Sequence, residues 1–115
     1  MAVAHQVPLG GMGRVELPAY GLADAEHQVE KEIRALWPDA RVDVTDVSRV
    51  DEQGRIVEEF RVSYRIRTMV EVEAESLVAA GRAALRLLRE RFAGSRYERV
   101  AWTVLGAAGG PSRSP

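Results

Sequence analysis

The chain has 115 residues, 46% hydrophobic and 29% charged, with sixteen basic against seventeen acidic side chains and a formal net charge of −1. These proportions suit one globular domain with one core, and the near-neutral balance argues against a partner held by bulk charge, such as duplex DNA or an anionic membrane. Cysteine is absent, which excludes disulfides, thiolate metal sites and thiol catalysis.

Lys31 is the single lysine beside fifteen arginines, and there is no asparagine. That bias fits GC-rich codon usage better than thermal adaptation, which favours lysine and glutamate. No apolar run approaches the length that spans a bilayer, and no basic segment leads into a short apolar one at the N-terminus. The expectation is a cytoplasmic protein with no membrane partner.

Residues 1–13, MAVAHQVPLGGMG, are small and glycine-rich without a sustained period. They predict an irregular lead-in. A first strand fits either Gln6–Leu9, where Pro8 confines it to an edge, or Arg14–Leu17, where Val15 and Leu17 share a side and Pro18 ends it. From Asp24 the period changes to that of a helix: Ala25, Val29, Ile33, Leu36 and Trp37 recur at spacings of four and three. Asp24 suits the N-cap, and Pro38 ends the helix because the preceding residue avoids the α region.

Val42 and Val44 then alternate with polar residues, and the slip in phase at Asp46-Val47 predicts a bulge. Asp51-Glu52-Gln53-Gly54 reads as a turn. Beyond it Ile56, Phe60, Val62, Tyr64, Ile66, Val70 and Val72 share one parity, the pattern of a long strand with one buried face. Ser76 caps a second helix whose buried stripe is Leu77, Gly81, Ala84, Leu88 and Phe92, with Gly94 just past its end. Residues 97–105 predict a last strand with Val100, Trp102 and Val104 in phase.

The order (β)αββαβ is that of an α+β domain of ferredoxin-like type, an antiparallel sheet with two helices packed on one face. Residues 1–106 form one such domain, and 107–115 read as a disordered tail, too poor in large apolar side chains to offset ordering entropy.

The odd parity of the long strand carries Arg61, Ser63, Arg65, Arg67, Met69, Glu71, Glu73 and Glu75. About a two-fold axis at Met69, antiparallel self-pairing sets Arg67 against Glu71 and Arg65 against Glu73. Arg65, Arg67, Met69, Glu71 and Glu73 are therefore the candidate homodimer interface, because opposite charges across an antiparallel pair attract. Arg49, Arg61, Arg65 and Arg67 are a candidate nucleic-acid face, although Phe60 and Tyr64 lie on the other parity and sheet-based RNA binders stack bases on aromatics.

His27 with Glu30 supplies too few ligands for a metal. Glu58 is the one carboxylate on the buried parity; buried, it would have a raised pKa and suit a general base, but a strand still emerging from its turn there favours a solvated Glu58. No nucleophile–base pattern is present, and Gly10-Gly11-Met12-Gly13 lacks the lysine and following helix of a phosphate loop.

The sequence thus predicts a small non-catalytic binding or assembly module that pairs with itself through its sheet, without catalytic residues, metal or cofactor. The alternatives are a dimeric α+β barrel-type enzyme with an apolar substrate, and a nucleic-acid-binding module using the arginine face.

Overall fold

The computed structural model describes residues 1–51 and 54–106. Six elements follow one another: β1 (Val3–Ala19), α1 (Leu22–Leu36), β2 (Arg41–Arg49), β3 (Glu58–Ala74), α2 (Leu77–Phe92) and β4 (Ala101–Val104). The strands form one antiparallel sheet in the order β2-β3-β1-β4. With both helices against one face this is the βαββαβ, ferredoxin-like arrangement. The tail expected at 107–115 lies outside the described residues, as do Glu52 and Gln53 of the turn.

The largest departure from expectation is β1. Residues 3–19 are one continuous strand, paired with β3 from Val3↔Ala74 to Ala19↔Glu58; there is no irregular lead-in. Both short segments proposed for the first strand belong to it, and Gly10, Gly11 and Gly13 sit inside it. A long partner overrides weak local propensity. Pro8 is tolerated because its carbonyl accepts from Leu105 N at 2.8 Å. Its nitrogen faces the same way, toward the end of β4, so no bond between β1 and β3 is lost.

β3 behaves as its parity predicts. Phe60, Val62, Tyr64, Ile66 and Val70 are buried under the helices, whereas Arg65, Arg67, Met69, Glu71 and Glu73 are exposed on the other face. The two interruptions are half-buried and partnered: Glu58 accepts from Arg49 Nε at 2.8 Å, and Thr68 Oγ1 accepts from Trp37 Nε1 at 2.9 Å. Ile56 departs from the pattern. It precedes the strand and is 83% exposed. The β2 bulge falls one residue earlier than expected, between Val44 and Asp46.

α1 starts at Gly21, which caps it without a side chain; Asp24 lies in the first turn and accepts from Tyr20 N at 3.0 Å. Ser76 caps α2 as expected, accepting from Ala79 N, and Gly94 takes a positive φ after it. β4 is shorter than the pattern suggested. Residues 95–99 form turns that drive Tyr97 into the core, and only Ala101–Val104 pair with β1.

Because β2 stops opposite Arg67 and β4 stops opposite Leu9, β1 and β3 continue beyond both as a two-stranded ribbon. Strands of this length measure about 55 Å, and they set the long axis of a molecule 60 × 32 × 18 Å in extent.

Candidate functional site

The helix-free face of the sheet brings arginines of two strands together. Even residues of β1 and odd residues of β3 project from it, and the register fixes who meets whom. Arg41 of β2 lies opposite Arg67 of β3, which lies opposite Gly10 of β1 and then Thr103 of β4. The next row is Asp43, Arg65, Met12 and Ala101. Two arginines directly across a ladder repel, at a cost on the order of 0.2–1 kcal/mol.

Three arginines among the described residues find acids. Arg61 grips Glu16 through Nε and Nη2 at 3.0 and 2.8 Å, Arg49 pairs with Glu58, and Arg96 lies 3.4 Å from Glu32. Among the described residues Arg14, Arg41, Arg65 and Arg67 on this face have no carboxylate within ion-pair distance, and neither do Arg82, Arg86 and Arg89 on α2.

Arg65 and Arg67 border a shallow depression of about 380 Å³ whose other walls include Met12, Ala101, Thr103 and Leu105. Its floor is low because Gly10 has no side chain; a Cβ there would lie 3.1 Å from Leu105 Cδ2. Toward the ribbon tip the same face becomes acidic. Met69 is half exposed, Glu71 accepts from Gln6 Nε2 at 2.7 Å, and Glu73 has no partner among the described residues.

All five residues of the expected dimer interface therefore share this face, but the expected register is blocked. Glu59 O accepts from Val50 N on the β2 side, so odd residues of β3 turn their backbone groups toward β2. At Arg65 and Arg67 that edge is filled by Asp43 and Arg41, and β1 fills the other. Only Thr68–Ala74 retains a free edge. A self-pairing centred there sets Glu71 against Glu71.

The nucleic-acid set is divided. The bulge turns Arg49 to the helix side, over the Phe60 ring at 5.6 Å, and Arg61 is neutralised by Glu16. Phe60, Tyr64 and Trp102 are all buried beneath the helices, so the open face offers strand arginines without aromatic platforms. Arg41 belongs with Arg65 and Arg67, a grouping that needed the strand register to be found.

Glu58 accepts from Arg49 and lines a half-open depression of about 500 Å³ with Pro18, Val50, Arg55 and Val57. His27 is exposed, and His5 Nε2 lies 3.2 Å from Ala74 O. No group of three or more His, Asp or Glu among the described residues is placed to hold a metal ion. No helix among the described residues is long and apolar enough to cross a membrane.

Beneath the sheet, Tyr64 and Tyr97 meet edge to face with centroids 5.6 Å apart. The Tyr97 hydroxyl donates to Glu32 Oε1 at 2.5 Å. Burial, and then this carboxylate, push the Tyr97 phenol well above its ordinary range. Burial alone pushes Tyr64 up to about 12, and its hydroxyl has no hydrogen-bond partner among the described residues. Tyr64 packs closely on β1: a Cβ on Gly13 would overlap the Tyr64 hydroxyl and lie 2.6 Å from Cζ.

No protein-family model, curated protein or solved structure matches this chain.

Proposed function

We propose that the chain is a non-catalytic assembly module that forms a homodimer with the open faces of two sheets packed together. The observation that carries this reading is the charge gradient along β3: Arg65 and Arg67 outside any ion pair among the described residues, then Met69, then Glu71 and Glu73 on the overhanging ribbon. About a two-fold axis through Met69 lying between the sheets, Arg67 stands over Glu71 of the copy, Arg65 over Glu73, and Met69 over Met69. Sheets stack about 10 Å apart, a gap that arginine and glutamate span from opposite sides. Each contact occurs twice.

The blocked edge is no obstacle to this packing, because it uses side chains rather than backbone groups. The ribbon overhang assists it. Where β2 and β4 have ended, the acidic tip of one copy reaches the three-arginine cluster of the other without their strands colliding. Exposed ion pairs contribute only about 0.2–1 kcal/mol each, so the dimer is weak and reversible.

Sedimentation velocity across a concentration series tests the reading. Arg65→Glu or Glu73→Arg alone is expected to weaken association about ten- to hundredfold through like-charge contacts, and the two together to restore it. A wild-type chain that stays monomeric at millimolar concentration, or a double variant no better than the singles, ends the proposal.

A further inference from the structure

We infer that the depression bordered by Arg65 and Arg67 binds a small organic phosphate or carboxylate with an apolar body, and that this ligand competes with the second copy. The competition rests on the assembly reading above; the binding site itself does not.

The site combines two features, a cluster of cations and an apolar pit. Arg41, Arg65 and Arg67 form a cluster of cations on adjacent strands that make no ion pair among the described residues, with Asp43 across the ladder from Arg65 the acid beside them, while Arg49, Arg61 and Arg96 are each engaged. Guanidinium forks pair most strongly with the two oxygens of a carboxylate or phosphate. Beside them lies a pit of about 380 Å³, walled by Met12, Ala101 and Leu105, within the size range of small-molecule sites. Thr103, whose Oγ1 lies 3.5 Å from Gly10 O, places a hydroxyl on its far side.

The geometry selects the ligand class. The anionic end meets the arginines on the β2–β3 side, and the carbon body lies toward β1 and β4 over Gly10. A nucleic-acid strand fits less well, since base stacking needs aromatics and the strand aromatics are buried. In the face-to-face dimer Glu71 and Glu73 of the copy occupy the same guanidinium groups, so a bound anion displaces them.

The test uses phenyl phosphate on the full chain, read by calorimetry and by amide shifts. Shifts are expected at Gly10, Thr103 and Leu105. Inorganic phosphate is expected to bind about tenfold more weakly, because it leaves the apolar wall unused, and Arg67→Ala to cost about tenfold. Gly10→Val, which fills the floor, is expected to abolish phenyl phosphate binding while leaving the far-ultraviolet spectrum unchanged.

Shifts centred on the surface arginines of α2, or binding indifferent to both variants, overturn the site. The double variant Glu71→Arg/Glu73→Arg separates the two claims, since it keeps the pit and removes the competing acids. If it binds phenyl phosphate and the wild type never dimerises, the site stands and the assembly reading falls. If the wild type dimerises and stays dimeric when saturated, the competition falls.

Discussion

Two tyrosines packed against each other differ by one hydrogen bond, and that difference has measurable consequences. Tyr97 donates to Glu32, whereas the Tyr64 hydroxyl is buried with no partner among the described residues. Burying an unsatisfied hydroxyl costs free energy, so Tyr64→Phe is expected to leave neutral-pH stability unchanged or raise it by up to about 1 kcal/mol. Alkaline behaviour supplies the second readout. The folded pKa of Tyr64, about 12, lies above the ordinary value of 10.0. The unfolded phenol therefore ionises first, and the stability contributed by Tyr64 is present below pH 10.0 and lost as pH rises toward about 12. The phenylalanine variant is expected to show a shallower loss over that window when urea midpoints are compared with wild type, with Tyr97 supplying what remains. An equally steep loss in the variant would show that Tyr64 is not its source.

At the scale of elements, β3 and both helices were legible because their large apolar side chains carry an unambiguous period. β1 was not, and the reason is physical. Val7, Leu9, Val15, Leu17 and Ala19 all face the core on one parity, yet Gly11 and Gly13 between them have no side chain with which to show that parity. Treated as neutral positions, they join the two halves into a single strand. The glycines are required there by bulk arriving from elsewhere, Tyr64 over Gly13 and Val100 with Trp102 over Gly11. Arg41 was missed as a site residue for a related reason: its position opposite Arg67 depends on register, which the β2 bulge shifts. The threonine within the apolar parity of β3 has its own account. Thr68 accepts from Trp37 at the end of α1 and pins that helix to β3 just beyond the last residue paired with β2. Thr68→Val keeps the shape and removes the acceptor, and is expected to lower stability by about 1 kcal/mol. The urea midpoint should fall with an unchanged slope; an unaltered midpoint would mean that the bond is replaced by water at no cost.

At the scale of the whole molecule, the feature that most sets this domain apart from a minimal βαββαβ fold is the ribbon that outruns its own sheet. Its edge turns the backbone N–H groups of Met69, Glu71 and Glu73 away from β1 with no strand beside them among the described residues. Edge strands of this kind invite pairing with another chain, and charged residues along them discourage it. Glu71 and Glu73 do so here, while remaining available to a copy approaching from the open face. Hydrogen exchange distinguishes the two modes of contact. In a face-to-face dimer the amides of Met69, Glu71 and Glu73 stay unbonded, so they are expected to exchange rapidly at both low and high protein concentration. The buried centre of β3, bonded on both sides between Phe60 and Ile66, should remain the slowest segment throughout. Side-chain resonances of Met69 and Arg67 should nevertheless shift with concentration. Strong protection of the three ribbon amides appearing only at high concentration would instead mean that two chains join edge to edge, with the glutamates accommodated in some other register.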